Sequence, residues 1–137
     1  MTNIEHLYDL YEANLSGRGF NVHVKEIGGN RRYTYTLVFQ PWNADHLIGE
    51  NSQWHADKVE AFSRMCSCGT WKMIGDYVDS MGVKLDADIL VGGTNQVFGF
   101  RQDADGTYYP VTCLLVDIRD YTYEPRYKIE AIDEFWL

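Results

Sequence analysis

Two short motifs each place a pair of aspartates one residue apart, Asp86-Ala87-Asp88 and Asp103-Ala104-Asp105. On an extended chain the two carboxylates of a pair project to the same side, which suits a divalent cation or a sugar-nucleotide phosphate held through one. The second motif continues into Gly106 and matches part of a calcium loop, but it lacks the glutamate that closes such a loop. Because Asp-Gly between two strands is a common hairpin turn, we interpret Asp103 to Gly106 as a turn and favour the same interpretation for Asp86 to Asp88.

Side chains that could bind zinc are concentrated in one segment, at His55, Cys66 and Cys68, with His46 upstream. On a continuous helix His55 and Cys66 would lie roughly 16 Å apart along the axis, too far for a shared metal. No paired C-x-x-C spacing is present, so we predict no metal site and no cofactor. The odd count of three cysteines indicates reduced thiols and a cytoplasmic protein.

We predict no catalytic residues. Cys113 lies in an apolar strand, where a thiol is inert, and no G-x-S-x-G motif is present. His6 and His23 have no evident partner in the sequence. The alternative is a small metal- or nucleotide-dependent enzyme, or a ligand-binding domain, that uses a D-x-D pair or the segment from His55 to Cys68.

Acidic residues dominate the second half of the chain. Residues 71–137 hold twelve acidic and six basic side chains, and therefore contribute −6 to the net charge of −8. Such a chain repels phosphates and anionic membranes, so we expect no direct binding to nucleic acid or to membrane. A protein partner with a basic surface, including one that itself binds nucleic acid, fits the charge better.

These observations predict a non-enzymatic protein-binding module. We expect an inhibitor that occupies a basic or nucleic-acid-binding surface of its partner, as immunity proteins and virus-encoded anti-defence proteins do. The predicted partner-binding residues are acidic and aromatic side chains near the C-terminus: Asp117, Asp120, Tyr123, Glu124, Glu130, Asp133, Glu134 and Trp136. Basic residues interrupt this row, so a solvated β face is the alternative interpretation. The aromatic end Phe135-Trp136-Leu137 further suggests a homodimer.

The periodicity of apolar residues predicts the elements that position these side chains. Helices are expected over Ile4 to Leu15, Ser52 to Ser67 and Thr70 to Met81, with a loop from Pro41 to Asn51. Strands are expected over Phe20 to Lys25, Arg32 to Phe39, Ile89 to Val91, Gln96 to Gln102, Val111 to Ile118 and Tyr127 to Ile132. No apolar run approaches the roughly 18 residues that a membrane-spanning helix needs.

The segment from Val111 to Ile118 is apolar on both alternations, which predicts a central strand buried on both faces. Pro110 is expected at its start, because proline cannot donate to a strand ladder. Short turns between consecutive strands favour antiparallel pairing. We therefore predict a single α+β domain over residues 1–137, with an antiparallel sheet of about five to six strands and helices packed on one face.

Overall fold

The computed structural model describes residues 3–48, 63–67, 71–78 and 85–137. Its strands are β1 (Arg18–Glu26), β2 (Arg32–Phe39), β3 (Met73–Asp76), β4 (Ile89–Gly92), β5 (Val97–Gln102), β6 (Tyr108–Leu114) and β7 (Tyr127–Trp136). Helix α1 (Asn3–Asn14) precedes β1, helix α2 (Asn43–Ile48) follows β2, and a 3₁₀ turn (Ile118–Asp120) precedes β7. The strands form a closed barrel in the order β1-β2-β6-β5-β4-β3-β7, and β7 pairs back onto β1.

The β1–β2 hairpin matches its sequence pattern. Gly28 at the turn has φ +80°, a backbone conformation that glycine adopts without steric cost. The register pairs Phe20 with Leu37 and Val22 with Tyr35, so the apolar alternation of both strands faces the barrel interior. Tyr33 continues this alternation, but its side chain is 54% exposed because β2 runs beyond the core there.

Aromatic rings fill the barrel. Phe20 contacts Phe39 edge to face at 5.6 Å and Trp71 at 5.9 Å, measured between ring centroids. Trp71 also contacts Phe98 and Phe100, at 5.7 and 6.2 Å. All five side chains are 3% exposed or less. The interior of the barrel is thus a packed core.

The predicted α+β sheet with helices on one face is wrong, because the sheet closes into a barrel and the described helices are short. The pairings are antiparallel as expected, except that β2 meets β6 in parallel through the single register pair Leu37 and Tyr108. This parallel contact joins strands far apart in sequence, and local turns do not predict it. Closure lets the strands bury their apolar faces against one another instead of against helices.

Two predicted segments adopt a different structure. The expected helix from Thr70 to Met81 contains β3, which pairs with β4 and β7. Ile74 there is fully buried in the barrel, so tertiary pairing outweighs its helical spacing. The expected loop from Pro41 to Asn51 contains α2, whose Leu47 and Ile48 are buried.

The central strand was predicted too far along the chain. β6 ends at Leu114, and Leu115 and Val116 are only partly buried. Pro110 lies inside β6, not at its start: Gly99 pairs with Thr112 and Phe100 with Pro110, so a bulge accommodates the proline. All four residues of the short strand β4 are buried, as expected for a strand covered on both faces.

The outer side of β4 and β5 is covered by the segment that links β6 to β7. Leu90 and Val97 pack there against Ile118 and Tyr121 in a second apolar cluster.

Of the predicted helix from Ser52 to Ser67, residues 52–62 lie outside the described part of the chain, while residues 63–65 are helical.

Candidate partner-binding surface

The predicted partner-binding residues separate into a set on β7 and a set on the segment before it. The three carboxylates on β7 face basic side chains of β1 and β2. The pairs are Glu134 with Arg18 (3.4 Å), Asp133 with His23 (2.6 Å) and Glu130 with Arg32 (3.1 Å). The acidic row of this strand therefore lies within a mixed-charge wall of the barrel, and its attraction for a basic partner is reduced.

His23, which has no evident partner in the sequence, is held between two side chains. Its Nε2 lies 2.6 Å from an Asp133 carboxylate oxygen, and its Nδ1 lies 3.0 Å from the Thr34 hydroxyl. Carboxylate, imidazole and hydroxyl follow one another as in a hydrolase triad. However, all three side chains stand on adjacent strands of the outer wall, where cross-strand pairs stabilise a sheet. We interpret the arrangement as a structural contact.

Trp136 is 70% exposed, and one face of its ring is covered by the Arg18 guanidinium, 4.7 Å from the ring centroid. This cation–π contact reduces the area that the indole offers to a partner. The homodimer through the aromatic end stays a prediction.

The remaining predicted residues lie in the segment from Asp117 to Arg126. Three backbone hydrogen bonds attach it to β3 and β4 or to the residues just after them: Ile118 N–H donates to Gly93 O (2.9 Å), Val78 N–H to Tyr121 O (2.8 Å), and Arg126 N–H to Ile74 O (2.9 Å). Ile118, Tyr121 and Thr122 are buried, and a Cβ on Gly75 would lie 3.1 Å from Thr122 and 3.2 Å from Pro125. The segment is firmly anchored.

Two exposed residues, Tyr123 and Glu124, stand between these anchors and are called the tip below. The Tyr123 side chain is 90% exposed, the highest value among the large apolar and aromatic side chains of the described residues. Together with Asp76, Val78 and Arg126, the tip lines a concavity of about 490 Å³. A large aromatic side chain that lies in solvent, on a backbone held by hydrogen bonds on both sides, suits an interface anchor.

The charges around the tip are mostly acidic. Asp117 accepts hydrogen bonds from the Arg119 side chain and backbone N–H, and these lower the pKa of its carboxyl. The Arg126 guanidinium donates to Asp76 at 2.7 Å. Glu124 and Asp120 add two exposed carboxylates, so Asp76 and the segment from Asp117 to Arg126 together hold four carboxylates against two guanidinium groups.

Buried tyrosines support this end of the barrel. Tyr35 contacts Tyr108 and Tyr127, with ring centroids 5.5 and 5.9 Å apart, and its hydroxyl accepts from Arg126 at 3.5 Å. Burial raises the pKa of Tyr35 to about 12, and the nearby Arg126 guanidinium opposes this only partly. Burial also raises the pKa of Tyr108. These phenols stay protonated at neutral pH and do not provide a general base.

The D-x-D motifs serve local structure. Asp105 accepts from the Thr107 backbone N–H and hydroxyl at 2.9 and 2.6 Å, and Gly106 has φ +89°, which confirms the turn interpretation. Asp86 pairs with Arg101 at 2.9 Å, and Asp88 accepts from the Gln102 backbone N–H at 2.8 Å. Asp103 accepts from the Ala104 backbone N–H at 2.8 Å, so each of the four carboxylates has a hydrogen-bond partner within the chain.

No group of three or more His, Cys, Asp or Glu side chains that could hold a metal ion is found in the residues that the structure describes. His55 and Cys68 lie outside these residues, and Cys66 is partly buried and forms no disulfide with another described residue. Cys113 is buried, as its strand predicts, and likewise forms no disulfide within the described part of the chain. None of the helices in the described ranges is long and apolar enough to cross a membrane.

Comparison with known proteins identifies no relative. No family model, no curated protein and no solved structure matches this chain.

Sequence reasoning missed Asp76 and Arg126 as parts of this surface. Asp76 was assigned to a helix, and Arg126 was treated as an interruption of the acidic row. Their contact joins residues 50 positions apart, which only the pairing of β3 beside β7 brings together. The dense acidic and aromatic composition from Asp117 to Glu124 was the available signal for the tip.

Proposed function

We propose that this chain is a non-enzymatic protein-binding module that docks its tip, Tyr123 and Glu124, on a basic surface of a partner protein. The observation that carries the proposal is the Tyr123 side chain, 90% exposed between two anchored stretches of chain. Because hydrogen bonds already hold the backbone on both sides of Tyr123, little backbone conformational freedom is lost on binding. The proposal includes two further expectations. The partner protein itself binds nucleic acid, and the chain is located in the cytoplasm, where Cys113 stays reduced.

Charge directs the tip toward a basic surface. Asp76 and Glu124 line the concavity beside Tyr123, and Asp117 and Asp120 precede Tyr123 in the same segment. Carboxylates at the rim of an interface mainly increase the association rate, whereas a buried aromatic ring contributes most of the free energy. We therefore assign affinity to Tyr123 and salt-dependent steering to the carboxylates.

The acidic residues of β7 have a smaller part in the proposal. Glu130, Asp133 and Glu134 are each within 3.4 Å of a basic group on a neighbouring strand. A partner would have to displace the Arg18 and Arg32 guanidinium groups and the His23 imidazole to use these carboxylates. Asp76 and Asp117 are paired in the same way with Arg126 and Arg119, so the direct test compares Glu124 with Glu130.

The test begins with affinity capture from cell lysate at about 50 mM and about 500 mM salt, conditions that differ strongly in charge screening. The captured partner is identified and purified, and its affinity for each variant is measured. We expect Tyr123→Ala to weaken binding by about 30-fold or more, as for an interface anchor. Glu124→Lys should lower the association rate at low salt and have less effect at high salt.

Two variants provide controls. Glu12→Lys makes the same charge change on the exposed side of α1, and Glu130→Lys makes it on β7. Both should change the affinity less than Glu124→Lys does. Equal losses for all three would show a general charge effect, and a partner indifferent to Tyr123→Ala would contradict the proposed contact.

A further inference from the structure

A second concavity lies at the other end of β7 from the tip. It has a volume of about 620 Å³, and Trp42, Tyr109, Phe135 and Leu137 are among its lining residues. The strand between the two surfaces has ten residues, which corresponds to about 30 Å. We call this concavity the outer groove; it is independent of the tip.

Trp42 is presented to the outer groove on a rigid turn. The Gln40 backbone N–H donates to the Asn43 side chain at 2.8 Å, and the Asn43 N–H donates back to Gln40 O at 3.1 Å. The buried Tyr11 hydroxyl also donates to Gln40 O, at 2.5 Å. Despite this fixed backbone, the Trp42 side chain is 67% exposed.

The other sides of the outer groove are also fixed. The Asp103 N–H donates to Thr107 O at 2.7 Å and closes the turn between β5 and β6. Phe135 lies across β1 at Gly19, where an added Cβ would be 2.2 Å from the ring. The absence of a side chain at Gly19 therefore allows the Phe135 ring to lie against the strand.

The charged side chains that line the outer groove are all acidic. Asp103 and Asp105 supply the charged side chains among the described lining residues, and those residues include no lysine or arginine. Aromatic faces attract ammonium groups through their quadrupole, and carboxylates add direct ion pairs. Methylene chains can lie against the apolar surface of Val38, Phe135 and Leu137.

We propose that the outer groove binds a linear aliphatic oligoamine, with its methylene segments against the aromatic rings and its ammonium groups at Asp103 and Asp105. Two carboxylates on one side of an apolar surface favour a ligand with several ammonium groups separated by methylenes. The volume lies within the usual range for small-molecule sites. A second copy of this chain is a poorer occupant, because the net charge of −8 opposes self-association.

Spermidine is the probe, and ¹H–¹⁵N NMR titration of the folded chain is the measurement. We expect saturable shifts of the Trp42 indole N–H and of the Asp103 to Tyr109 amides. Trp42→Ala and the double variant Asp103→Asn with Asp105→Asn should each weaken binding by about tenfold or more. Asparagine keeps the side-chain oxygen that accepts the turn hydrogen bonds, so the turn is preserved.

The matched control is Asp9→Asn with Glu12→Gln, which removes two exposed carboxylates from α1 and leaves the outer groove unchanged. Its affinity for spermidine should stay within about twofold of the original chain. Equal losses in both double variants would show nonspecific attraction and overturn the proposal. So would the absence of saturation, or a lysine-containing peptide that binds at the groove when spermidine does not.

Discussion

At the scale of single residues, two exposed aromatic side chains stand on turns that hydrogen bonds hold in place. Tyr123 follows the buried residues Tyr121 and Thr122, and Trp42 precedes the buried Asn43. In both cases hydrogen bonds fix the turn while the ring remains in solvent. Since neither ring is needed to fill the barrel, their presentation favours roles in binding over roles in stability.

The contact between Gly19 and Phe135 gives a prediction at this scale. Gly19→Ala should displace the Phe135 ring, because the new Cβ would meet it at 2.2 Å. We expect a loss of about 1–3 kcal/mol in the free energy of unfolding, measured by urea denaturation.

A double-mutant cycle separates this clash from other effects of the methyl group. In a Phe135→Ala background, Gly19→Ala should cost much less, because the ring is absent. An equal loss in both backgrounds would mean that Phe135 does not cause the destabilisation.

At the scale of the elements, the barrel closes through a short parallel contact. Leu37 of β2 and Tyr108 of β6 form the one register pair of this seam, and Leu37 is fully buried. By contrast, β1 pairs with β2 over eight positions. Side-chain packing must therefore contribute more to the seam than backbone pairing does.

Truncation of the seam residue tests this view. Leu37→Ala should lower the free energy of unfolding by about 2–5 kcal/mol, the range for a buried leucine. Leu115→Ala should cost less, because Leu115 follows the end of β6 and is only partly buried. Urea denaturation of both variants provides the comparison, and a larger loss for Leu115→Ala would contradict the assigned end of β6.

At the scale of the whole molecule, buried tyrosines couple stability to alkaline pH. An unfolded chain loses its phenolic protons near pH 10, whereas the pKa of Tyr35 in the folded chain is about 12 because the side chain is buried. Between these values the folded state binds more protons than the unfolded state. The free energy of unfolding should therefore fall as pH rises from 10 to 12.

Urea denaturation at pH 9 and at about pH 11.5 measures this loss. Tyr35→Phe removes the titrating hydroxyl and should make the fall smaller. Tyr123→Phe is the control, because that side chain is exposed and should leave the fall unchanged. If the free energy of unfolding falls equally in both variants and in the original chain, Tyr35 does not cause the loss of stability at alkaline pH.

The sequence by itself determined the features that depend on neighbours along the chain. The period-two pattern and the glycine turn predicted the β1–β2 hairpin, and helical spacing predicted α1, whose Leu7 and Tyr11 are buried. The turn at Asp103 to Gly106 was also predicted from neighbouring residues alone. The solvent exposure of Tyr123 was not determined in this way, although its acidic and aromatic surroundings marked the segment.

Only the tertiary structure decided which of these elements meet. Helical spacing predicted a helix where β3 lies, because Ile74 is buried by the pairing of β3 with distant strands. The contacts of Glu130 with Arg32, of Asp133 with His23 and of Glu134 with Arg18 join β7 to residues about 100 to 116 positions earlier. The surroundings of these carboxylates could therefore not be predicted from neighbouring residues. Barrel closure, the mixed-charge wall of the barrel and the outer groove all arise from contacts between strands remote in sequence. Local periodicity carries no information about such pairing.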